Sequence, residues 1–197
     1  MFTFDHITQG EPYLADTLSS TRFLQSADDF SNSSCFVAPY DPAQQPECEQ
    51  MVAALVHDLA TRGHIACVVN AYDLFLQIMD EDEIWEPYAE AQRDMPPAEF
   101  INALRDAVDI ENVFVPRMHE AVRSARAELL IVTGMGACHP IIRAHRLVEL
   151  LNPGVPVVVM FPGRQTTLPN GKRTLDVLTT PAGTGGGKYR ARNIFDF

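Results

Sequence analysis

ELLIVTGMGACHPIIRAHRLVELLNPGVPVVVMFPG, residues 128–163, decides the fold. It opens on ELLIVTG (128–134), a Leu/Ile/Val run of the kind that forms a buried strand. A turn with Gly134 and Gly136 follows. HPIIRAHRLVELL (139–151) then places Ile141, Ala144, Val148 and Leu151 on one helical face, with Arg143, Arg146 and Glu149 away from it. Pro140 falls near the first helical position, and Asn152-Pro153-Gly154 stops the helix. VPVVVMF (155–161) is a β-branched run suited to the inside of a parallel sheet. Strand, turn, helix and strand make one βαβ unit, because parallel strands need a crossover.

Outward from this unit the pattern repeats once. SCFVAPY (34–40) reads as a short buried strand ended by Asp41-Pro42. A helix spans about 47–62, with Met51/Val52, Leu55/Val56 and Leu59 at helical spacing, Glu47 and Glu49 in its first turn, and Gly63 as its stop. HIACVVNAY (64–72) is the next strand, so 34–72 is a further βαβ unit. Residues 73–127 read as a helical insertion: a short helix at 73–79, an acidic cluster at 80–83, Trp85 and Tyr88 as packing aromatics, a helix at 98–108, and another opened by Pro116. At the N-terminus 11–26 reads as one helix with Pro12 in its first turn. After Gly163 the chain turns polar and glycine-rich, so about 164–187 reads as a flexible loop, and KYRARNIFDF (188–197) regains strand character. The expected architecture is a single α/β domain over 1–197. It is a Rossmann-like three-layer fold, with a mostly parallel sheet and helices on both faces.

Composition narrows the class. The chain has 197 residues, enough for one domain with a sizeable core. Hydrophobic residues are 46 %, too many for a disordered chain. No apolar run reaches the roughly 18 residues of a membrane span, so no membrane is expected. The N-terminus has acids early and no basic segment, so the expected location is cytoplasmic. The net charge of −11 is split unevenly: residues 1–112 hold 21 acids against 4 arginines, and residues 113–197 hold 5 acids against 11 basic residues. The basic half can neutralise the acidic one within the fold, or it can meet phosphate or an acidic partner.

Motifs that would carry chemistry fail when placed in context. GTGGGK (183–188) is not a P-loop, because Ala182 stands where the first glycine is needed, Tyr189 where Ser or Thr is needed, and no helix follows. GMGACH (134–139) sits where a dinucleotide turn would, but His139 occupies the third glycine position, where close helix–sheet contact is required. That turn is first a tight turn that needs glycine, and second a place where backbone N–H groups could bind an anion. Cys138 would lie at the helix N-terminus, where a thiol pKa can fall. There is no GxSxG elbow, no CxxC pair and no HExxH, so neither a catalytic set nor a metal site is expected, and no cofactor. Arg143, Arg146, Arg164, Arg190 and Arg192 could converge at the carboxyl ends of the strands, where open α/β sheets bind ligands or partners.

TGMGACHPIIRAHRLVELL (133–151), PVVVMFPG (156–163) and KYRARNIFDF (188–197), taken in order, resemble the BrxB family of BREX phage-defence systems. The family pattern falls on Thr133, Gly134, Gly136, Pro140, Arg143, Phe161, Pro162, Gly163, Tyr189, Arg190 and Ala191. VAPYDP and VVNAYDLF resemble its first half, so the likeness covers about 34–197. One departure is RQTTLPNGKRTLDVLTTPAGTGGG (164–187), which stands where the family carries a Leu-Phe-Gly-like segment.

The resemblance implies a non-enzymatic interaction or assembly factor in a multi-protein antiviral system, with a PglZ-like phosphatase-fold protein as partner. Other BREX components are further partners. A homodimer and direct contact with DNA are left open. The partner or anion surface is then Gly134, Gly136, His139, Arg143, Phe161, Pro162, Gly163, Tyr189, Arg190 and Arg192. The competing reading is a phosphate-ligand or nucleic-acid binder or enzyme using the 134–143 helix N-terminus and the C-terminal arginines.

Overall fold

A computed structural model describes residues 6–28, 34–81, 85–167, 173–176 and 191–197. In chain order the elements are α1 (Glu11–Leu18), α2 (Thr21–Leu24), β1 (Cys35–Tyr40), α3 (Gln45–Thr61), β2 (Ala66–Asn70), α4 (Ala71–Glu81), α5 (Trp85–Ala91) and α6 (Pro97–Val108). A π turn (Ile110–Phe114), α7 (Val115–Ala125), β3 (Leu129–Thr133), α8 (Ala144–Leu150) and β4 (Val157–Pro162) follow. The hairpin strands β5 (Arg164–Thr167) and β6 (Arg173–Asp176) come next, and β7 (Arg192–Asn193) leads into a final 3-10 turn, Ile194–Asp196.

Five strands form an all-parallel sheet in the order β2-β3-β4-β1-β7. Its strands read as nearly continuous apolar runs because both faces are covered. Alternate residues serve opposite cores. Cys35, Val37, Cys67, Val69, Leu130, Val132, Val157 and Val159 pack under α4, α6, α7 and α8. Phe36, Ala38, Tyr40, Leu129, Ile131, Val158 and Met160 pack under α1, α2, α3 and the C-terminal turn. The result is a Rossmann-like three-layer α/β fold, as the strand–helix alternation predicts.

The two βαβ units are not equivalent. β3 and β4 are neighbours, with Leu130 opposite Val157. β1 and β2 are not, since β4 and β3 lie between them. The helical insertion foreseen over 73–127 is present between β2 and β3 as α4 to α7. It supplies most of one face of the sheet.

Three expectations are corrected. The helix foreseen over 11–26 is broken at Ser19–Ser20. Ser20 is extended at ψ 140, and its Oγ accepts the N–H of Phe23 to cap α2. The helix foreseen over 139–151 starts only at Ala144 and has 7 residues. Residues 135–142 are instead a run of turns, so Pro140 opens no helix. KYRARNIFDF contributes only a two-residue strand within its described part. There Asn193 Oδ1 accepts the N–H of Phe195 and turns the chain into the 3-10 turn.

The hairpin β5–β6 is antiparallel and lies within the stretch read as a loop. PAGTGGG (181–187), Tyr189 and Arg190 lie outside the described residues.

Candidate functional site

The carboxyl ends of β3 and β4 meet through two glycines. Gly134 has φ +73, and a Cβ there would stand 1.9 Å from Asn70 Oδ1 and 3.1 Å from the backbone N of Tyr72. The space is taken because Asn70 Oδ1 accepts from the N–H of Tyr72 at 3.0 Å and of Asp73 at 3.4 Å. Asn70 thus caps α4, and Gly134 is the residue that lets its side chain cross. A Cβ on Gly136 would fall 2.9 Å from Pro162 Cγ, so the turn packs directly on the end of β4. The Gly163 N–H donates to Tyr40 O at 2.9 Å, tying that end to β1. Phe161, Pro162 and Gly163 are buried, whereas Gly136 and His139 are exposed.

Cys138 is buried behind this turn. Burial, aided by the negative charge of Asp73, pushes its thiol up to about 12. The lowered pKa expected at a helix N-terminus is absent because the helix begins 6 residues later, at Ala144. Burial pushes Cys35 and Cys48 up to about 12 as well.

Arg143 is exposed at the N-cap position of α8. It lines a cavity of about 320 Å³ together with Arg105, His145 and Arg146, over an apolar floor of Val108, Ile110, Ile141 and Ile142. Arg105 is committed within the fold: its Nε and Nη2 donate to Pro140 O at 3.1 and 2.7 Å, which pins the turn run 135–142 to α6. Arg146 pairs with Glu111 at 3.0 Å and Glu149 at 3.6 Å. Burial and then the charge of Arg143 lower the pKa of His145, so it is an uncharged imidazole at neutral pH.

The arginines do not all converge. Arg192 lies on the opposite face, its guanidinium carbon 4.7 Å from the Phe36 ring centroid and 5.5 Å from that of Phe197. Arg164 is exposed at the start of the hairpin. Thus Gly136 packs on Pro162 at the end of β4, Arg143 lines the separate cavity beside α8, and Arg192 stands on the opposite face. Sequence reasoning missed Asn70 and Arg105. An Asn just before a helix was a legible capping signal. Arg105 has no local signal, because its partner is 35 residues away.

Among the described residues no group of His, Cys, Asp and Glu is arranged to hold a metal ion. No helix there is long and apolar enough to cross a membrane.

Neither the curated proteins nor the solved structures contain a significant match to the chain. The family model for BREX protein BrxB matches residues 67–194. That span runs from β2 to the final turn and takes in both glycine turns, α8 and the arginine-lined cavity. With more than half of its length matched, the chain belongs to the BrxB family and is a component of a BREX defence system.

Proposed function

We propose that the protein works in its BREX system as a non-enzymatic interaction component, and that a PglZ-like phosphatase-fold protein is its partner. The observation that carries this reading is the filling of the glycine turn by the chain itself. In a dinucleotide-binding fold the turn after a central strand leaves room for phosphate. Here the Asn70 side chain occupies the space beside Gly134, and Pro162 closes on Gly136. Of the family's motif residues, Gly136 and Arg143 are exposed, as is His139. An exposed arginine suits recognition of another protein.

Co-expression with the PglZ-like protein of the same system, followed by size-exclusion chromatography, tests the reading. The two are expected to co-elute, and Arg143→Glu is expected to weaken the complex about tenfold or more. Failure to co-elute with any BREX component across a range of salt would remove the interaction role.

The cavity favours one second reading, a small anionic ligand held by Arg143. Such a ligand at a hundred times its Kd would add about 2.7 kcal/mol of stability. A melting temperature unmoved by nucleotides, inorganic phosphate and short DNA excludes it.

A further inference from the structure

Four of the described large hydrophobic side chains remain exposed, in and around β2 and the two helices that follow it. They are Ile65 (51 %) just before β2, Val68 (41 %) on it, Tyr72 (37 %) in α4 and Trp85 (39 %) at the start of α5. β2 is an edge of the sheet. Its outer backbone groups can be identified from the register. The Leu130 N–H donates to Pro156 O, so Leu130 and Val132 turn their backbone groups towards β4, and Leu129 and Ile131 turn theirs towards β2. In a parallel pair those two engage residues 65, 67 and 69. The N–H and C=O of Ala66 and Val68 therefore face outward, with no partner among the described residues.

Natural edge strands are blunted by lysine, proline or a bulge. ACVVN has neither lysine nor proline, and its register with β3 runs without a bulge from Ala66 to Asn70. Past its far end Tyr72 stacks on Phe75, and Trp85 meets Phe75 edge-on.

We propose that the β2 edge is a docking site for an extended segment of another protein, which adds to the sheet as a sixth parallel or antiparallel strand. The occupant carries apolar residues at alternate positions and Lys or Arg beside them. The charge around the edge specifies this. α4 and α5, which follow β2 directly, carry Asp73, Asp80, Glu81, Glu86 and Glu90 and no basic residue. Only Glu81 of these has an ion-pair partner among the described residues, Arg117. At the near end Arg62 is held by Asp16 and Asp58, and His64 by Glu128, while Arg117 and Arg123 of α7 pair with Glu81 and Glu120 and Arg126 is exposed, so the occupant's Lys or Arg belongs at the far end, beside α4 and α5. Two copies pairing through β2 would bring these acidic helices together on chains of net charge −11 each, which disfavours a homodimer here.

This surface goes beyond the partner surface around Arg143, and it does not depend on which protein is the partner. The probe is a short, labelled peptide of alternating Val and Thr flanked by lysines, titrated against the full chain by fluorescence anisotropy. Binding is expected, weakened by salt and abolished when the peptide is N-methylated at alternate residues. Val68→Pro removes only an outward N–H, so it is expected to weaken binding about tenfold while leaving the fold intact. Val68→Lys keeps that N–H, repels the basic probe and should weaken it similarly.

An unbound peptide, or one bound equally by both variants or by its N-methylated form, overturns the proposal. A dimer of the chain that Val68→Pro converts to a monomer overturns the choice of occupant. Because the probe is not a BREX protein, these outcomes are separate from failure of co-elution with BREX components.

Discussion

Gly134 shows how one residue couples two elements. Gly134→Ala must place a Cβ into the Asn70 side chain at a positive φ, which is expected to cost about 2–4 kcal/mol. Asn70→Ala alone should cost about 1 kcal/mol through the lost cap of α4. The double variant should be more stable than the sum of the single effects predicts, because the clash is gone and only the backbone strain remains. Urea midpoints of the four proteins check this, and strict additivity would refute the coupling. The buried thiols make a second prediction. Cys35, Cys48 and Cys138 are raised from 9.0 to about 12 in the folded state. Their contribution is complete below pH 9 and is lost as pH rises towards 12, because the unfolded chain then releases protons that the folded chain retains. Stability should fall with a limiting slope of about 1.4 kcal/mol per pH unit for each thiol. Denaturation at pH 8 to 10.5 measures it. Thiol reagents should modify these cysteines only when the protein unfolds.

At the scale of elements, the helix at 139–151 is the informative failure. Its apolar spacing is genuine, and Leu147, Val148 and Leu151 are buried as the helical face requires. The first part does not coil because Arg105 of α6 supplies two donors to Pro140 O, holding residues 135–142 as turns. Arg105→Ala is expected to lower stability by about 1–2 kcal/mol and to free this segment. Hydrogen exchange should then quicken around Ile142 and Leu147 while β3 and β4 stay protected. No such change would mean the clamp is incidental. Strands were easier to read than this helix, since their runs of Leu, Ile and Val are buried on both faces whatever their neighbours are.

The molecule as a whole depends on its last residues. Ile194 and Phe195 are buried against α1 to α3, and Phe197 meets Phe23 and Phe36 edge-on. Phe195→Ala should cost about 3–5 kcal/mol and lower the melting temperature by about 10 °C. A change within 2 °C, read by thermal denaturation, would show the C-terminus to be peripheral. Global charge is organised by position as well. The acidic α4 and α5 border one sheet edge, and the basic cavity of Arg105, Arg143 and Arg146 faces solvent between α6 and α8. The molecule therefore offers two surfaces of opposite preference.

The amino-acid sequence by itself determined the α/β class, the strands and the family, because burial on both faces and ordered glycine turns are local patterns. Only the tertiary structure decided the strand order, the late start of α8, the role of Gly134, the separation of Arg192 from Arg143 and the open edge at β2. Each of these depends on a partner far along the chain: Val157 against Leu130, Pro140 against Arg105, Asn70 against Gly134 and Phe36 against Arg192. Residue spacing along a chain carries no record of such pairs until packing brings them together.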